Sequence, residues 1–266
     1  MLKLAVIGKD VSQSDSPAIH NFILGKWGVE CSYEKVSVPP AEFASRAETL
    51  FAKYDAFNVT IPFKGEIIPF LKELYGDAQR FGAVNTVVAK ARAGYNTDGY
   101  GFLTMLENEG IALKGKSALV LGAGGAGRSC ICKLKEAGAS VSAYERDEER
   151  LAAVYREFGG FTPLKQVPLA PFDVIVNCTG VGMHESVGTS PVGAELIARC
   201  GAAVDLIYVP RESEFLRIAK SLGKKTVNGA AMLFYQAYLA DCIYTGRTPS
   251  GAEAKTLWEE YSKEAL

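Results

Sequence analysis

The sequence predicts an α/β fold: an N-terminal α/β domain followed by a doubly wound, largely parallel sheet of the Rossmann type. Three observations carry that reading. Strand-like and helix-like segments alternate almost throughout. A glycine-rich turn, Gly122–Gly127, sits between a strand pattern and a helix pattern. The chain has 266 residues, 48% hydrophobic and 22% charged, enough for one or two domains with a well-buried core and too apolar for disorder.

The elements follow in order. Lys3–Ile7 reads as a strand ending at Gly8. Ser16-Pro17 opens a helix, since Ser suits the N-cap and Pro the first helical position, and Gly28 closes it. Cys31–Val38 is a strand, and Phe43, Ala47, Leu50, Phe51 and Tyr54 mark a helical stripe. Ala56–Ile61 is a strand ended by Pro62, followed by a helix around Gly65–Leu74 and a hairpin-like strand, Ala83–Ala89. Asp98 can cap a helix running to about Asn108, which Gly110 stops. Strand Ser117–Leu121, helix Ala126–Ala137 and strand Val141–Tyr144 surround the glycine turn. Strands near Asp173–Asn177, Ala203–Ile207 and Lys225–Val227 continue the series, and helices Gly229–Thr245 and Gly251–Lys263 close it. With no Pro- or Ser-rich linker, domain boundaries fall inside helices and tight loops.

Composition narrows the function. Lys+Arg number 29 against 30 Asp+Glu, a net charge of −1 with no basic tail, so nucleic acid is not expected as a partner. Only His20 and His184 are available for histidine chemistry, so no metal site is expected. No apolar run approaches the ~20 residues of a membrane span, and the start reads as a strand rather than a signal peptide. Cysteines 31, 130, 132, 178, 200 and 242 are scattered, which suits reduced thiols in a cytoplasmic protein better than a disulfide framework.

Gly122-Ala123-Gly124-Gly125-Ala126-Gly127 matches the dinucleotide fingerprint G-x-G-x-x-G in the strand–turn–helix context that the motif requires. The first Gly permits the turn, the second lets a pyrophosphate approach the backbone, the third lets helix pack on strand, and free N–H groups at the helix start hold the phosphates. The alternative is a purely structural glycine turn. Glu145, after the second strand, stands where a carboxylate binds the ribose 2′-hydroxyl of NAD and repels a 2′-phosphate. Arg146 and Arg150 beside it can instead hold the 2′-phosphate of NADP.

The first ~98 residues place small polar groups at element ends: Ser14 and Ser16, then Asn58-Val-Thr60-Ile-Pro-Phe-Lys64, then Asn85-Thr86, then Asn96-Thr97-Asp98-Gly99. Each has a bland reading as well. Ser16 and Asp98 can simply cap helices, and Lys64 can be a surface lysine.

Together these segments resemble the shikimate dehydrogenase family. Gln13-Ser14-Asp-Ser16-Pro17-Ala-Ile-His20-Asn21 resembles its H-S-x-S-P-x-x-H-N segment. Asn58–Lys64 matches N-V-T-x-P-x-K, Gly82–Thr86 matches G-A-V-N-T, and Asn96–Gly99 matches N-T-D-G. Gly122–Ala126 matches G-A-G-G-A, Asn177–Met183 resembles N-A-T-x-x-G-M, and Asn228–Gln236 resembles D-G-x-x-M-L-x-x-Q. The resemblance implies reversible reduction of 3-dehydroshikimate to shikimate in aromatic amino-acid biosynthesis, with NADP(H) favoured and NAD(H) the alternative. It implies Lys64 and Asp98 as the catalytic pair. Substrate contacts map to Ser14, Ser16, Thr60, Lys64, Asn85, Asp98, Gln236 and Tyr208. The dinucleotide maps to Gly122–Gly127, Glu145, Arg146, Arg150, Thr179, Met183 and Gly229. It also implies a substrate domain of residues 1–98 and 236–266, a dinucleotide domain of 99–235, and a monomer or homodimer with small-molecule ligands.

A ketone reduction needs a hydride, which a nicotinamide supplies, and a proton, which Lys64 can carry; a nearby carboxylate favours the ammonium, so Asp98 holds the lysine and a substrate hydroxyl in line. Three departures stand out. Gln13 replaces His, Asn228 replaces Asp, and Glu145 and Asp147 replace the Asn and Thr of the family's N-R-T segment. Two arginines against one carboxylate favour NADP, by about ten- to a hundredfold, if both reach the phosphate; a Glu145 paired with one of them costs NADP affinity. The small Ser14–Pro17 segment leaves no added room for quinate, so shikimate should be preferred. The competing readings are an NAD-dependent quinate/shikimate dehydrogenase, a methylene-tetrahydrofolate dehydrogenase type enzyme and a dinucleotide sensor without catalysis. The intact Lys64/Asp98 pair speaks against the sensor.

Overall fold

Leu4, Ala5, Val6 and Ile7 are all buried, as expected of a strand covered on both faces, and they anchor the first of two sheets. The computed structural model describes residues 1–265. Its first part runs β1 (Leu2–Gly8), α1 (Ser16–Lys26), β2 (Cys31–Ser37), α2 (Phe43–Lys53), β3 (Ala56–Val59), β4 (Glu73–Leu74), α3 (Asp77–Phe81), β5 (Thr86–Val88), β6 (Ala93–Tyr95) and α4 (Asp98–Asn108). The sheet order is β2-β1-β3-β5-β6-β4. β2, β1 and β3 are parallel, and β5 and β6 form an antiparallel hairpin joined to β3. That hairpin brings Thr86 opposite Asn58 and Tyr95, so polar residues far apart in the chain share one sheet end.

The helix expected around Gly65–Leu74 is absent. Turns and a short 3-10 segment, Ile68–Phe70, lead instead into β4. Pro69 lacks an N–H and crowds the preceding turn, and with Pro62 and Gly65 nearby no helix can propagate. The apolar residues there still serve the core: Phe63 and Ile67 are buried, with Phe63 stacked on Phe43 at 4.1 Å. α1 begins at Ser16, but Ser16 is inside the helix and Asp15 is the residue before it, with no side-chain cap. The Ser16 hydroxyl is therefore free of capping duty.

The second part runs β7 (Ser117–Leu121), α5 (Gly125–Glu136), β8 (Ser140–Tyr144), α6 (Glu148–Phe158), β9 (Thr162–Leu164), β10 (Phe172–Asn177), α7 (Ala194–Ile197), β11 (Cys200–Asp205), α8 (Glu214–Ser221) and β12 (Lys225–Asn228). All its strands are parallel, in the order β12-β11-β10-β7-β8-β9. The order reverses between β7 and β10, which is the switch point where doubly wound sheets bind ligands beyond their strand ends. α9 (Ala230–Thr245) and α10 (Gly251–Ala265) complete the chain.

Two compact units result: Met1–Gly101 with Leu233–Leu266, and Phe102–Met232. In the first unit α10 packs on α1, and Trp27 meets Tyr238 edge-on at 5.6 Å while its Nε1–H reaches Glu253. All six cysteines are free thiols. Among the described residues no helix is long and apolar enough to cross a membrane.

Candidate active site

The turn after β3, Thr60–Phe63, is closed by the Phe63 N–H donating to the Thr60 carbonyl, and it delivers Lys64 to the sheet end. The Lys64 carbonyl accepts from the Val84 N–H, fixing that segment against the hairpin. Asp98 opens α4 after β6, its N–H donating to the Asn96 side chain. Lys64 Nζ and Asp98 Oδ2 meet at 2.6 Å, with side chains 29% and 15% exposed, so the pair is sheltered yet reachable. Neither Asp98 oxygen is spent on capping: the second accepts from Asn85 Nδ2 at 2.9 Å.

Asn85 is the hub of the cluster. It is buried, its amide nitrogen also donates to Thr97 Oγ1, and its Oδ1 accepts from the Thr97 N–H. Thr97 Oγ1 donates to Gln236 Oε1 at 3.2 Å, which ties α9 to the same group. Asn58 Nδ2 donates to the Asn85 carbonyl, and Asn58 Oδ1 accepts from the Tyr33 hydroxyl at 2.7 Å. Burial raises the Tyr33 phenol well above its usual range, so the hydroxyl stays protonated and keeps that donation. Ser14 and Ser16 hydroxyls lie 3.1 Å apart. Thr60 is half-buried, its N–H bonded to the Ile7 carbonyl.

The first unit thus brings Lys64, Asp98, Asn85 and Gln236 into one hydrogen-bonded group. Asn58, Thr97 and Tyr33 belong to the same network and are not among the site residues that the sequence predicts. A signal was present for two of them, since Asn58 and Thr97 stand inside the quoted segments. Tyr33 left none, because it sits in an ordinary strand pattern. Tyr208 follows β11 in the second unit and is half-buried there.

The glycine turn meets each demand of a bound dinucleotide. Gly122 has φ of +95°, and an added Cβ there would press within 3.2 Å of Thr179 and the Cys178 backbone. At Gly127 a Cβ would collide with the Gly122 carbonyl. At Gly124 and Gly125 a Cβ would meet nothing within 4 Å, so the backbone there faces open space. No side chain caps the start of α5, leaving its first N–H groups for an anion. Thr179 is locked by Asn177 Oδ1, which accepts from its N–H and, at 2.7 Å, from its hydroxyl. Asn177 in turn donates to buried Asp205 at 3.0 Å. Burial pushes the Asp205 carboxyl up to about 6, although Ser213, the Ile207 N–H and Asn177 all donate to it. A lone acid at the end of an apolar strand was its signal in the sequence. Met183 is half-buried, and Gly229 is crowded, since a Cβ there would strike the Leu206 carbonyl.

Glu145 does not turn outward. Its Oε2 accepts from the Ala123 N–H at 3.0 Å, and Arg150 Nη1 lies 3.6 Å from the same oxygen. Arg150 also faces Asp147, at 3.5 Å, and Asp147 caps α6 by accepting from the Arg150 N–H. Arg146 is exposed. Arg150 therefore stands at ion-pair distance from two carboxylates while its side chain is 53% exposed.

Comparison with known proteins fits this geometry. Residues 6–87 match the model of the shikimate dehydrogenase substrate binding domain. A shikimate dehydrogenase (NADP(+)) of Thermus thermophilus is 43% identical over 260 residues, covering 95% of this chain and 97% of that protein. The chain belongs to the shikimate dehydrogenase family. The Archaeoglobus fulgidus member, also named shikimate dehydrogenase (NADP(+)), is 37% identical with 94% of each chain covered. The crystal structure of a Thermus thermophilus family member in complex with NADP(H) and shikimate superposes with a TM-score of 0.87, at 41% identity, over 98% of this chain and 99% of that one.

Proposed function

We propose that this protein is an NADP(H)-dependent shikimate dehydrogenase that interconverts 3-dehydroshikimate and shikimate. The single observation that carries the reading is the Lys64–Asp98 pair at 2.6 Å, held by Asn85 and joined through Thr97 to Gln236. Lys64 and Asp98 are the catalytic pair. Ser14, Ser16, Thr60, Asn85 and Gln236 contact the substrate, a small polyol that a hydroxyl- and amide-rich surface suits. Gly122–Gly127, Arg146, Arg150, Thr179 and Met183 hold the dinucleotide, with Glu145 beside its adenosine ribose and Gly229 packing the start of α9.

When bound, the nicotinamide supplies the hydride. Lys64 Nζ donates a proton to the carbonyl oxygen as the carbon is reduced, and takes it back in the reverse direction. Asp98 keeps the ammonium aimed and accepts a hydrogen bond from a substrate hydroxyl. Asn85 fixes the carboxylate by donating to one of its oxygens, so the pair is set before substrate arrives. The substrate carboxylate is taken by the Ser14 and Ser16 hydroxyls beside the start of α1, since no arginine stands among the matched positions. The same reading places the enzyme in the cytoplasm as a monomer or homodimer.

The test is shikimate-dependent reduction of NADP by the purified enzyme, with quinate in parallel. Shikimate should be turned over with clearly higher kcat/KM. Equal efficiency on quinate would refute the substrate assignment, and no turnover of either would refute the activity.

A further inference from the structure

We propose that the buried His20–Asp241 pair positions the substrate site: it clips α1 to α9 and holds Tyr33, and with it Ser16 and Asn58, in the arrangement that substrate binding requires. The inference rests on the function proposed above. All of its residues lie in the first unit.

His20 Nδ1 and Asp241 Oδ1 meet at 2.6 Å although 221 positions separate them in the chain, and both side chains are fully buried. The other polar atom of each side chain, His20 Nε2 and Asp241 Oδ2, is buried without a hydrogen-bond partner among the described residues. Burying two such groups on one contact costs desolvation that apolar side chains of similar size avoid. What the contact supplies is direction. A carboxylate on Nδ1 fixes the ring's proton on that nitrogen and the ring plane with it.

The faces of the ring are fixed as well. Tyr33 stacks on it with centroids 4.6 Å apart and planes 17° from parallel, and Tyr244 lies at 6.2 Å. Tyr33 is the link to the site. Its hydroxyl donates to Asn58 Oδ1, and Asn58 Nδ2 donates to the Asn85 carbonyl and to Thr86 Oγ1. Asn85 holds Asp98, the partner of Lys64. Ser16 stands one helical turn before His20 in α1 and is also buried. Its hydroxyl is close enough to the Tyr33 phenol to favour ionisation there, against the larger and opposite effect of burial. At the other end Asp241 shares α9 with Gln236, which accepts from Asn85 and Thr97. One buried contact thus sets two helices that each carry a polar residue of the site, and a phenol bonded to a third.

The experiment compares wild type with the double variant His20→Phe/Asp241→Leu, which keeps the ring stacking and the volume and removes the polar contact. The double variant should fold, with a urea midpoint close to that of wild type. Its kcat/KM for shikimate should fall by about ten- to a hundredfold, while its Kd for NADPH stays unchanged, because the dinucleotide residues belong to the second unit. Asp241→Asn, whose amide oxygen still accepts from Nδ1, should recover most of that loss. A double variant with wild-type kcat/KM, an equal loss of NADPH affinity, or an Asp241→Asn variant as impaired as the double variant overturns the proposal. A second reading needs no variant. The chain has two histidines, so isotope-labelled histidine gives two imidazole spectra by NMR. Saturating shikimate should move the His20 resonances, and resonances that stay in place overturn the proposal even if the double variant does not fold. A wild-type protein without shikimate turnover would refute the proposed function instead.

Discussion

In the second unit six consecutive residues, Gly122–Gly127, make the candidate dinucleotide turn, and its features are those of backbone: a positive φ, a close carbonyl and uncapped N–H groups. In the first unit the candidate catalytic group is made of side chains drawn from β3, the turn after it, the hairpin, α4 and α9, spanning Asn58 to Gln236. The contrast teaches where each unit is vulnerable. The glycine turn fails when an atom is added at Gly122 or Gly127, where a Cβ would meet Thr179 and the Cys178 backbone or the Gly122 carbonyl. The polar cluster fails when any one atom is removed, because every buried donor there already has an assigned acceptor.

The largest effect should come from removing the proton carrier. Lys64→Ala is expected to lower kcat by about two to four orders of magnitude, with KM for shikimate changed much less. Steady-state kinetics between pH 7 and 9 checks this, and near-normal turnover across that range would remove Lys64 from the mechanism.

A comparable effect, on stability rather than turnover, belongs beneath the second site. The Asp205 carboxyl is raised from 3.8 to about 6 in the folded protein, so the fold retains a proton that the unfolded chain has already released. Stability should be greatest below about pH 4 for this group and fall by about 3 kcal/mol as pH rises to about 6, then level off. Asp205→Asn should remove that slope, since the amide oxygen still accepts from Ile207 and Asn177. Urea unfolding of both proteins at a series of pH values reads the difference, and parallel curves would show that Asp205 does not titrate in that window.

The smallest effect is the one that isolates backbone. Gly127→Ala adds a single methyl against the Gly122 carbonyl and should cost about 1–3 kcal/mol of stability, together with most of the dinucleotide affinity. Gly125→Ala, whose Cβ meets open space in the free protein, should leave stability almost unchanged and reveal its cost only when nucleotide is added. Thermal melts with and without NADPH separate the two. Equal loss in both variants would mean that crowding at Gly127 is not what the turn depends on.

Much of this molecule was legible without coordinates wherever the determining forces are short-range. Strand Ser117–Leu121, the glycine turn and α5 follow from dihedral preference and apolar spacing within some twenty residues, and the structure has them with bounds shifted by a residue at most. The same local logic misled at Gly65–Leu74, where apolar spacing suggested a helix but Pro69 and two neighbouring breakers prevented one. Ser16 looked like a cap because its type suits one, yet its hydroxyl lies with Ser14 instead.

What the sequence by itself determined was therefore the order and kind of most elements and the parallel doubly wound half. Tertiary structure alone decided how the polar side chains are paired. Asn85 and Gln236 are 151 positions apart and share one cluster, and Arg150 lies within ion-pair distance of both Glu145 and Asp147. The physical reason is range. Backbone conformation is set by neighbours a few residues away, whereas the partner of a polar side chain is whichever group the folded sheet and helices bring within about 3 Å.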